Sequence, residues 1–550
     1  MPDRSGLGPS TITRSLLILI SLLLTDYVLF RLLPGVDTGA NRTLRYAPIL
    51  GLSVVLFLLG LALTLRSDRA ASVSASTMPA DWRASPALSK VFASILVVGV
   101  ASSVFFAYLV GKALVFRLDH ESFWKDTVTY AAVAEAPLSS SDFWAGQRSF
   151  TVPLIYKFLD ANQATVHRLS RMRRISGFQL ILGILCWTSL AAATAGLVKS
   201  RMLKPVGFAV VLALGLTLDV SMWDRVLLTE STSTSLLVLI VALALVGLKN
   251  RNYLGRHGAW WQIPFWMLVC VLCVLYSFTR DTNAYFLAAC GLAILAGMMV
   301  PRIRRHPSAI ACGAFSIFLL SLFLVQSMTA NKGDRWVLPY FNILHTRVFP
   351  DADAREFFQA AGMPADSATA GILRLDQYPF LQALKYNFGA QPLIDWVNTD
   401  GKATYARYLL SRPVETLVQP FRRARNLVSP VSTEYRADDY SVPVWLHLLS
   451  RVFFPLPLTI VLVWSGIVVL AAYLTGRRRG TRSEWIVPAL LLLTALPMMY
   501  VVWYGDAVEV ERHAFQISLQ IRLGLWLMTV LLADAWLAGR RRPSAVDAAA

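Results

Sequence analysis

Long apolar runs separated by shorter polar stretches dominate the chain. A helix needs roughly 20 apolar residues to cross a hydrocarbon core. About twelve runs approach or exceed that length, at 14–33, 46–65, 91–116, 175–198, 206–223, 231–248, 262–278, 283–300, 309–328, 453–474, 486–504 and 515–537. The pattern predicts an all-α polytopic membrane protein in three parts. The first, 1–328, is a module of nine spans that includes a long polar loop at 117–174; the second, 329–452, is too polar to span; the third, 453–550, carries three spans and a basic tail. The first run is long and no small-residue cleavage site follows it, so it reads as a retained anchor.

The interval 329–452 is too long for a bare loop and contains helix signals. Asp351 and Asp353 precede a helical stretch at 354–361 with Gly362 as its stop, Gly401 precedes 402–410, and Pro413 opens 414–426. It reads as a small helical cap on the external mouth of the bundle. Trp336, Tyr340, Trp396 and Tyr405 in it suit stacking against a sugar or packing of the cap itself.

Composition agrees with the pattern. Of 550 residues 56% are hydrophobic and 15% charged, against roughly 25% charged in a soluble domain. The formal charge is +19, from 52 Lys and Arg against 33 Asp and Glu. In a soluble chain that excess suggests nucleic acid. Here the basic loop residues alternate with the spans: Arg66, Arg69 and Arg83; Lys199, Arg201 and Lys204; Lys249, Arg251 and Arg256; Arg302, Arg304 and Arg305; Arg477, Arg478, Arg479 and Arg482; Arg540, Arg541 and Arg542. All fall on one side if twelve spans are counted from a cytoplasmic N-terminus, which is the positive-inside pattern and not a nucleic-acid footprint. Both termini are therefore expected in the cytoplasm of a plasma-membrane protein, with the 117–174 loop and the cap outside. The run His167–Arg174 departs from the rule. It reads either as an interfacial helix on anionic headgroups or as a site for a lipid phosphate, which arginine pairs with bidentately.

The five cysteines all lie in apolar runs, where neither a disulfide framework nor a zinc site is expected. Cys270 and Cys273 form a C-x-x-C that reads as membrane packing. A transporter more often carries buried mid-span charges and paired broken helices, and neither is read in this chain.

The candidate chemistry sits in the polar tips. Asp126, with Thr127 and Tyr130, lies in the first long loop, followed by Gly146-Gln147-Arg148 and Pro153-Leu154. Asp126 suits two roles: an N-cap for a helix over 127–135, or a base or ligand at the bilayer surface. Asp224-Arg225 and Thr229-Glu230-Ser231 form the turn between the fifth and sixth spans, Thr279-Arg280-Asp281 the turn between the seventh and eighth, and Asp506, Glu509, Glu511, Arg512 and His513 precede the last. Any one of these tips can be a helix anchor; their joint appearance on one face predicts a shared polar site.

Asp126-Thr127-x-x-Tyr130, Gly146-Gln147-Arg148, Pro153-Leu154, Leu228-Thr229-Glu230 and Asp506…Glu509…Arg512-His513 together resemble the polytopic glycosyltransferases of the C superfamily (GT-C). The resemblance covers most of the chain in layout and a few short motifs in residues. It implies transfer of a sugar, with inversion, from a polyprenyl-phosphate-linked donor to a glycan, lipid or protein acceptor on the extracytoplasmic face. Asp126 would then be the catalytic base, which must lie within hydrogen-bond reach of the acceptor hydroxyl. Arg280, Arg512 and the 168–174 cluster, Arg174 included, would face the departing phosphate, where negative charge accumulates, and Arg148 would bind substrate. Glu230 would bind substrate or help hold a metal, and His513 would donate to phosphate or be structural. In the superfamily the loop acid is often paired; here Asp126 follows Lys125 and stands alone. A lone acid does not supply the several oxygens a divalent cation takes, so no metal ligands are assigned and a divalent cation stays an open possibility. No cytoplasmic stretch is long enough for a nucleotide-sugar domain, in keeping with a lipid-linked donor, and membrane lipids are expected partners. The competing readings are a surface-polysaccharide polymerase or ligase, which would rely on arginines, and a lipid-linked-sugar transporter or flippase.

Overall fold

The computed structural model describes residues 86–117, 122–256, 259–300, 309–375, 380, 390–430, 442–479 and 483–540. The first two predicted spans, at 14–33 and 46–65, lie outside the described residues. The compact unit that carries the features below is Lys112–Ala550.

Among the described residues the fold is all-helical. In chain order it runs α1 (Pro86–Arg117), α2 (Lys125–Glu135), α3 (Ser141–Ala145), α4 (Thr151–Phe158), α5 (Leu169–Leu197), α6 (Leu203–Leu216), α7 (Leu218–Ser221), α8 (Glu230–Arg256), α9 (Ala259–Ser277), α10 (Asp281–Met298) and α11 (Ala309–Lys332). Short helices follow: α12 (Val337–Ile343), α13 (Ala352–Ala360), α14 (Ser367–Leu373), α15 (Gln391–Trp396), α16 (Lys402–Ser411), α17 (Pro413–Arg422), α18 (Ala424–Val428) and α19 (Val444–Phe453). The chain closes with α20 (Leu458–Arg479), α21 (Ile486–Gly505) and α22 (Val510–Arg540).

Eight helices among the described residues are long and apolar enough to cross a membrane. Helices suit that setting because each satisfies its own backbone hydrogen bonds. The predicted span at 206–223 is α6 and α7, bent by 57°. The bend falls at Thr217, whose extended backbone interrupts the helix. The predicted span at 262–278 is the shorter apolar stretch Ile263–Ser277 of α9. Burial separates centre from periphery. The most apolar window of α22 is 67% buried and that of α8 61%, against 11% for α20. The central helices α8 and α22 are the ones that begin with Glu230 and with Val510-Glu511-Arg512.

Two features differ from the sequence expectation of uncharged, unbroken spans. One is the α6–α7 bend. The other is buried charge within the runs, at Lys112, Asp219 and Asp534 and, about midway along α22, at the fully buried Arg522. Its guanidinium donates to the carbonyls of Val428 (2.8 Å) and Pro455 (2.5 Å) and to Ser518 Oγ (2.7 Å). A charge in so apolar a place is tolerated because its two terminal nitrogens donate to main-chain oxygens and the Ser518 hydroxyl, although Nε has no acceptor among the described residues.

Between α11 and α20, a core of Tyr340, Phe341, Leu344, Phe358, Leu393 and Trp396 and their neighbours holds the short helices together. Asp351 caps α13 by accepting from the Ala354 N–H at 3.0 Å, and Gly362 ends it at φ 91°, a conformation that glycine adopts without Cβ strain. Gly401 is not a helix start. A π-helical turn, Val397–Gly401, joins α15 to α16, and the Tyr340 hydroxyl donates to the Gly401 carbonyl at 2.6 Å. The helix expected at 414–426 is divided into α17 and α18 at Arg423.

Candidate active site

Helix α2 explains the Asp-Thr-x-x-Tyr spacing. Its N-terminus is closed by Thr127, whose Oγ1 accepts from the Trp124 main-chain N–H at 3.1 Å, one half of a capping box. The N-cap position itself is Trp124, so Asp126, in the first turn, is not the cap residue. The Thr127 hydroxyl in turn donates to the Leu227 carbonyl at 2.9 Å. Tyr156 Oη donates to the same carbonyl at 3.1 Å, and Gln179 Nε2 to the carbonyl of Leu228 at 3.1 Å. A parallel bridge between Ser122 and Val226 completes the attachment. The first loop is thus fastened to the turn that leads into Glu230.

Asp126, Thr129 and Tyr130, at i, i+3 and i+4, share one face of α2 and hold Arg148. Arg148 Nη2 lies 2.5 Å from Asp126 Oδ1, its Nε donates to Thr129 Oγ1 at 2.7 Å, and its guanidinium carbon stands 4.9 Å from the centre of the Tyr130 ring. The second Asp126 oxygen, Oδ2, is 3.2 Å from Arg512 Nη1. Burial alone would push the Asp126 carboxyl up; the Arg148 and Arg512 charges outweigh it and hold it below the usual carboxylate range.

Arg512 is the hub. Besides Asp126 it reaches Glu230 Oε1 through Nε at 2.6 Å and Glu509 Oε2 through Nη1 at 2.7 Å. Glu230 is fully buried and is also 3.2 Å from Arg280 Nη1. Arg280 Nη2 approaches His513 Nδ1 at 2.5 Å, and His513 Nε2 lies 3.5 Å from Asp506 Oδ2. Since arginine only donates, Nδ1 must accept, and the imidazole proton is assigned to Nε2, facing Asp506. Asp506 Oδ1 accepts from the Asn342 amide at 3.1 Å and from the Ala507 and Val508 N–H groups at 2.7 and 3.0 Å. Burial pushes the Asp506 carboxyl up, but these donors, His513 first, bring it below its ordinary value. Glu509 itself has φ 55°, a left-handed conformation rare for a non-glycine residue outside turns and functional sites.

Four helix N-termini meet here. Asp126 is in the first turn of α2, Glu230 opens α8, Arg280 is the N-cap of α10, and Arg512 lies in the first turn of α22. Each helix presents the positive end of its dipole, which favours anions. Of the residues singled out in the sequence, Asp126, Arg148, Glu230, Arg280, Arg512 and His513 fall in this one network. Arg174 does not: it is exposed on α5, while its neighbour Arg171 pairs with Asp160 at 2.5 Å. Asp224 belongs to a different cluster, 2.8 Å from Lys112 and 2.7 Å from the Ser231 hydroxyl, both contacts buried. Asp281, next to Arg280, turns the other way. It meets Arg335 Nε at 3.2 Å, Gln326 Nε2 at 2.6 Å and Ser149 Oγ at 2.9 Å. Thr129 and Arg335 escaped the sequence reading. Thr129 is detectable as the i+3 neighbour of Asp126, whereas nothing local marks Arg335.

The donor set does not suit a divalent cation. Among the described residues no three acid, histidine or cysteine side chains converge as a metal would need. The place between Asp126 and Glu230 is taken by the guanidinium of Arg512. No step below runs through a metal.

No protein-family model and no curated protein sequence matches the chain. Among solved structures, the archaeal oligosaccharyltransferase AglB from Archaeoglobus fulgidus, in complex with an inhibitory peptide and a dolichol-phosphate, is similar at 12% identity and a TM-score of 0.41. The alignment covers 82% of this chain and 52% of that one, so the chain spans about half the length of that protein. At this identity and degree of superposition the likeness bears on neither activity nor substrate.

Proposed function

We propose that the protein is an inverting glycosyltransferase that takes a sugar from a polyprenyl-phosphate donor, with Asp126 as the base, on the extracytoplasmic face of the membrane. The observation that carries this reading is that Arg512 joins the loop acid Asp126 to the buried Glu230 at the tips of apolar spans. A substrate with a long apolar tail presents its phosphate at that level, where four helix N-termini and three guanidiniums favour an anion.

The ion pairs suggest an order of events. With both oxygens of Asp126 paired, the carboxylate is a weak base. An arriving donor phosphate competes for Arg148 and Arg512; as they turn to it, Asp126 loses its cationic partners and gains proton affinity. The acceptor hydroxyl then gives its proton to Asp126 while its oxygen bonds to the anomeric carbon. The bond from that carbon to the phosphate oxygen breaks on the opposite side, and the phosphate leaves with the electron pair, held by the arginines. Glu230 keeps Arg280 and Arg512 oriented.

The test is sugar transfer from a polyprenyl-phosphate-sugar pool in membranes carrying the wild type, Asp126→Asn or Glu230→Gln at matched protein levels. The expected result is transfer by the wild type and a loss of about 10²–10⁴-fold in Asp126→Asn, the usual range for a general base. Transfer retained by both variants would overturn the assignment.

A further inference from the structure

The surface of α17 is built unlike a helix that faces water. Val414, Leu417, Val418 and Phe421 follow one another at helical spacing and are 75%, 60%, 37% and 52% exposed. The opposite face is engaged. Tyr500 and Tyr504, from the last turns of the span α21, donate through their hydroxyls to the carbonyls of Leu417 and Thr416, each at 2.8 Å. Thr416, Gln419 and Arg423 also line a cavity of about 400 Å³ shared with Arg347, Tyr405 and Trp503. Helix α17 is therefore a wall, with a polar cavity behind it and an exposed apolar stripe in front, whose last member, Phe421, stands edge-on to the Tyr500 ring at 6.2 Å. Arg422 at its C-terminal end and Arg425, just beyond it in α18, are exposed, and neither has an ion-pair partner among the described residues.

We infer that α17 lies flat in the membrane interface and binds anionic phospholipid, with the apolar stripe in the boundary between headgroups and acyl chains and Arg422 and Arg425 on lipid phosphates. Two observations select this occupant over a protein partner. The stripe is continuous with a membrane surface, because α17 is pinned to the end of a span by Tyr500 and Tyr504. The charge beside it is complementary to anionic headgroups: two exposed arginines, with Glu415 as the one acid within α17. Apolar burial plus cationic attraction is the combination that holds a helix in an interface.

The test uses the full chain in lipid nanodiscs, with Leu417 replaced by an environment-sensitive fluorescent amino acid and Val469, an exposed position on the span α20, as reference. The expected result is quenching of the 417 probe by lipids with a nitroxide near the headgroup and protection from aqueous iodide. Quenching by iodide alone would place the helix in water and overturn the proposal. Protection from both quenchers would mean that a second copy or another segment of this chain covers the stripe, which also overturns it. In a second arm, retention of phosphatidylglycerol over phosphatidylcholine is compared between the wild type and the double variant Arg422→Gln, Arg425→Gln. Loss of preference by about five-fold per arginine, the ratio equivalent to ~1 kcal/mol each, is expected. Unchanged retention would overturn the role given to the arginines.

Discussion

Arg512 Nε donates to Glu230 Oε1 across 2.6 Å, joining the first turns of the two most buried spans, α22 and α8. Removing one partner of such a pair leaves a buried charge poorly compensated. Arg512→Met is expected to destabilise the protein by about 3 kcal/mol, the lower end of the range for buried pairs, because Arg280 still faces Glu230. Arg512→Lys keeps one charge but cannot address three carboxylates, so it should recover part of the stability and little of the transfer. Thermal unfolding in detergent and the transfer assay check the two halves separately.

The low proton affinity of Asp126 sets the pH behaviour. A base works only when deprotonated, so activity falls as pH drops through its pKa. In the free protein that value lies below the usual carboxylate range; once donor phosphate has drawn the arginines away it rises. The acid limb of kcat/KM, which reports the free enzyme, is expected at lower pH than the acid limb of kcat, which reports the complex. Coincident limbs would refute the exchange of partners. Asp506 is lowered in the same direction. The stability it contributes is present above the ordinary carboxylate range and is lost as pH falls through its folded-state value.

Two hydroxyls share one carbonyl at Leu227. Thr127→Val is expected to cost about 1 kcal/mol, since the Tyr156 hydroxyl remains, and Tyr156→Phe a similar amount. The double substitution leaves that carbonyl without a side-chain donor among the described residues, and its cost should exceed the sum of the two. A double-mutant cycle on unfolding free energy measures the excess.

At Gly333 a Cβ atom would stand 2.1 Å from the Gly146 carbonyl oxygen, and Arg335 Nη1 donates to that same oxygen at 3.0 Å. Gly333→Ala is expected to force the segment after α11 off the first loop, at about 1–3 kcal/mol. It should also weaken the Arg335–Asp281 pair, so that Arg335→Gln in that background costs less than in the wild type.

The spans were legible because lipid imposes length and apolarity on each run separately, and every run predicted within the described residues contains a helix. The cap of α13 at Asp351 and its stop at Gly362 were legible for a similar reason: both are local chemistry. The convergence of Asp126, Arg148, Glu230, Arg280, Arg512 and His513 was readable as a set of polar tips, but the partners were not. Nothing in the local sequence tells why Arg280 turns to Glu230 while Asp281 turns to Arg335, or why Glu230 enters the network and Asp224 pairs with Lys112. Those choices are made by helix packing between residues far apart in sequence, 54 positions for Asp281 and Arg335 and 112 for Lys112 and Asp224. The bend at Thr217 was hidden because the residues around it are apolar. Arg522 was passed over because a single charge barely alters a run, while its acceptors, the Val428 and Pro455 carbonyls, are distant in sequence.

Those two carbonyls stand at either end of the connection between α18 and α20, and Arg522 grips both. The two ends of that connection are thus joined by a side chain from a third helix. The entropy of closing a loop grows only with the logarithm of its length, roughly 0.6 kcal/mol per doubling. Closure of the interval between Val428 and Pro455 therefore depends on Arg522 far more than on its length, while α19 within it is seated separately, through the buried Leu446 and the Ser450 hydroxyl, which accepts from the Leu218 N–H at 2.8 Å.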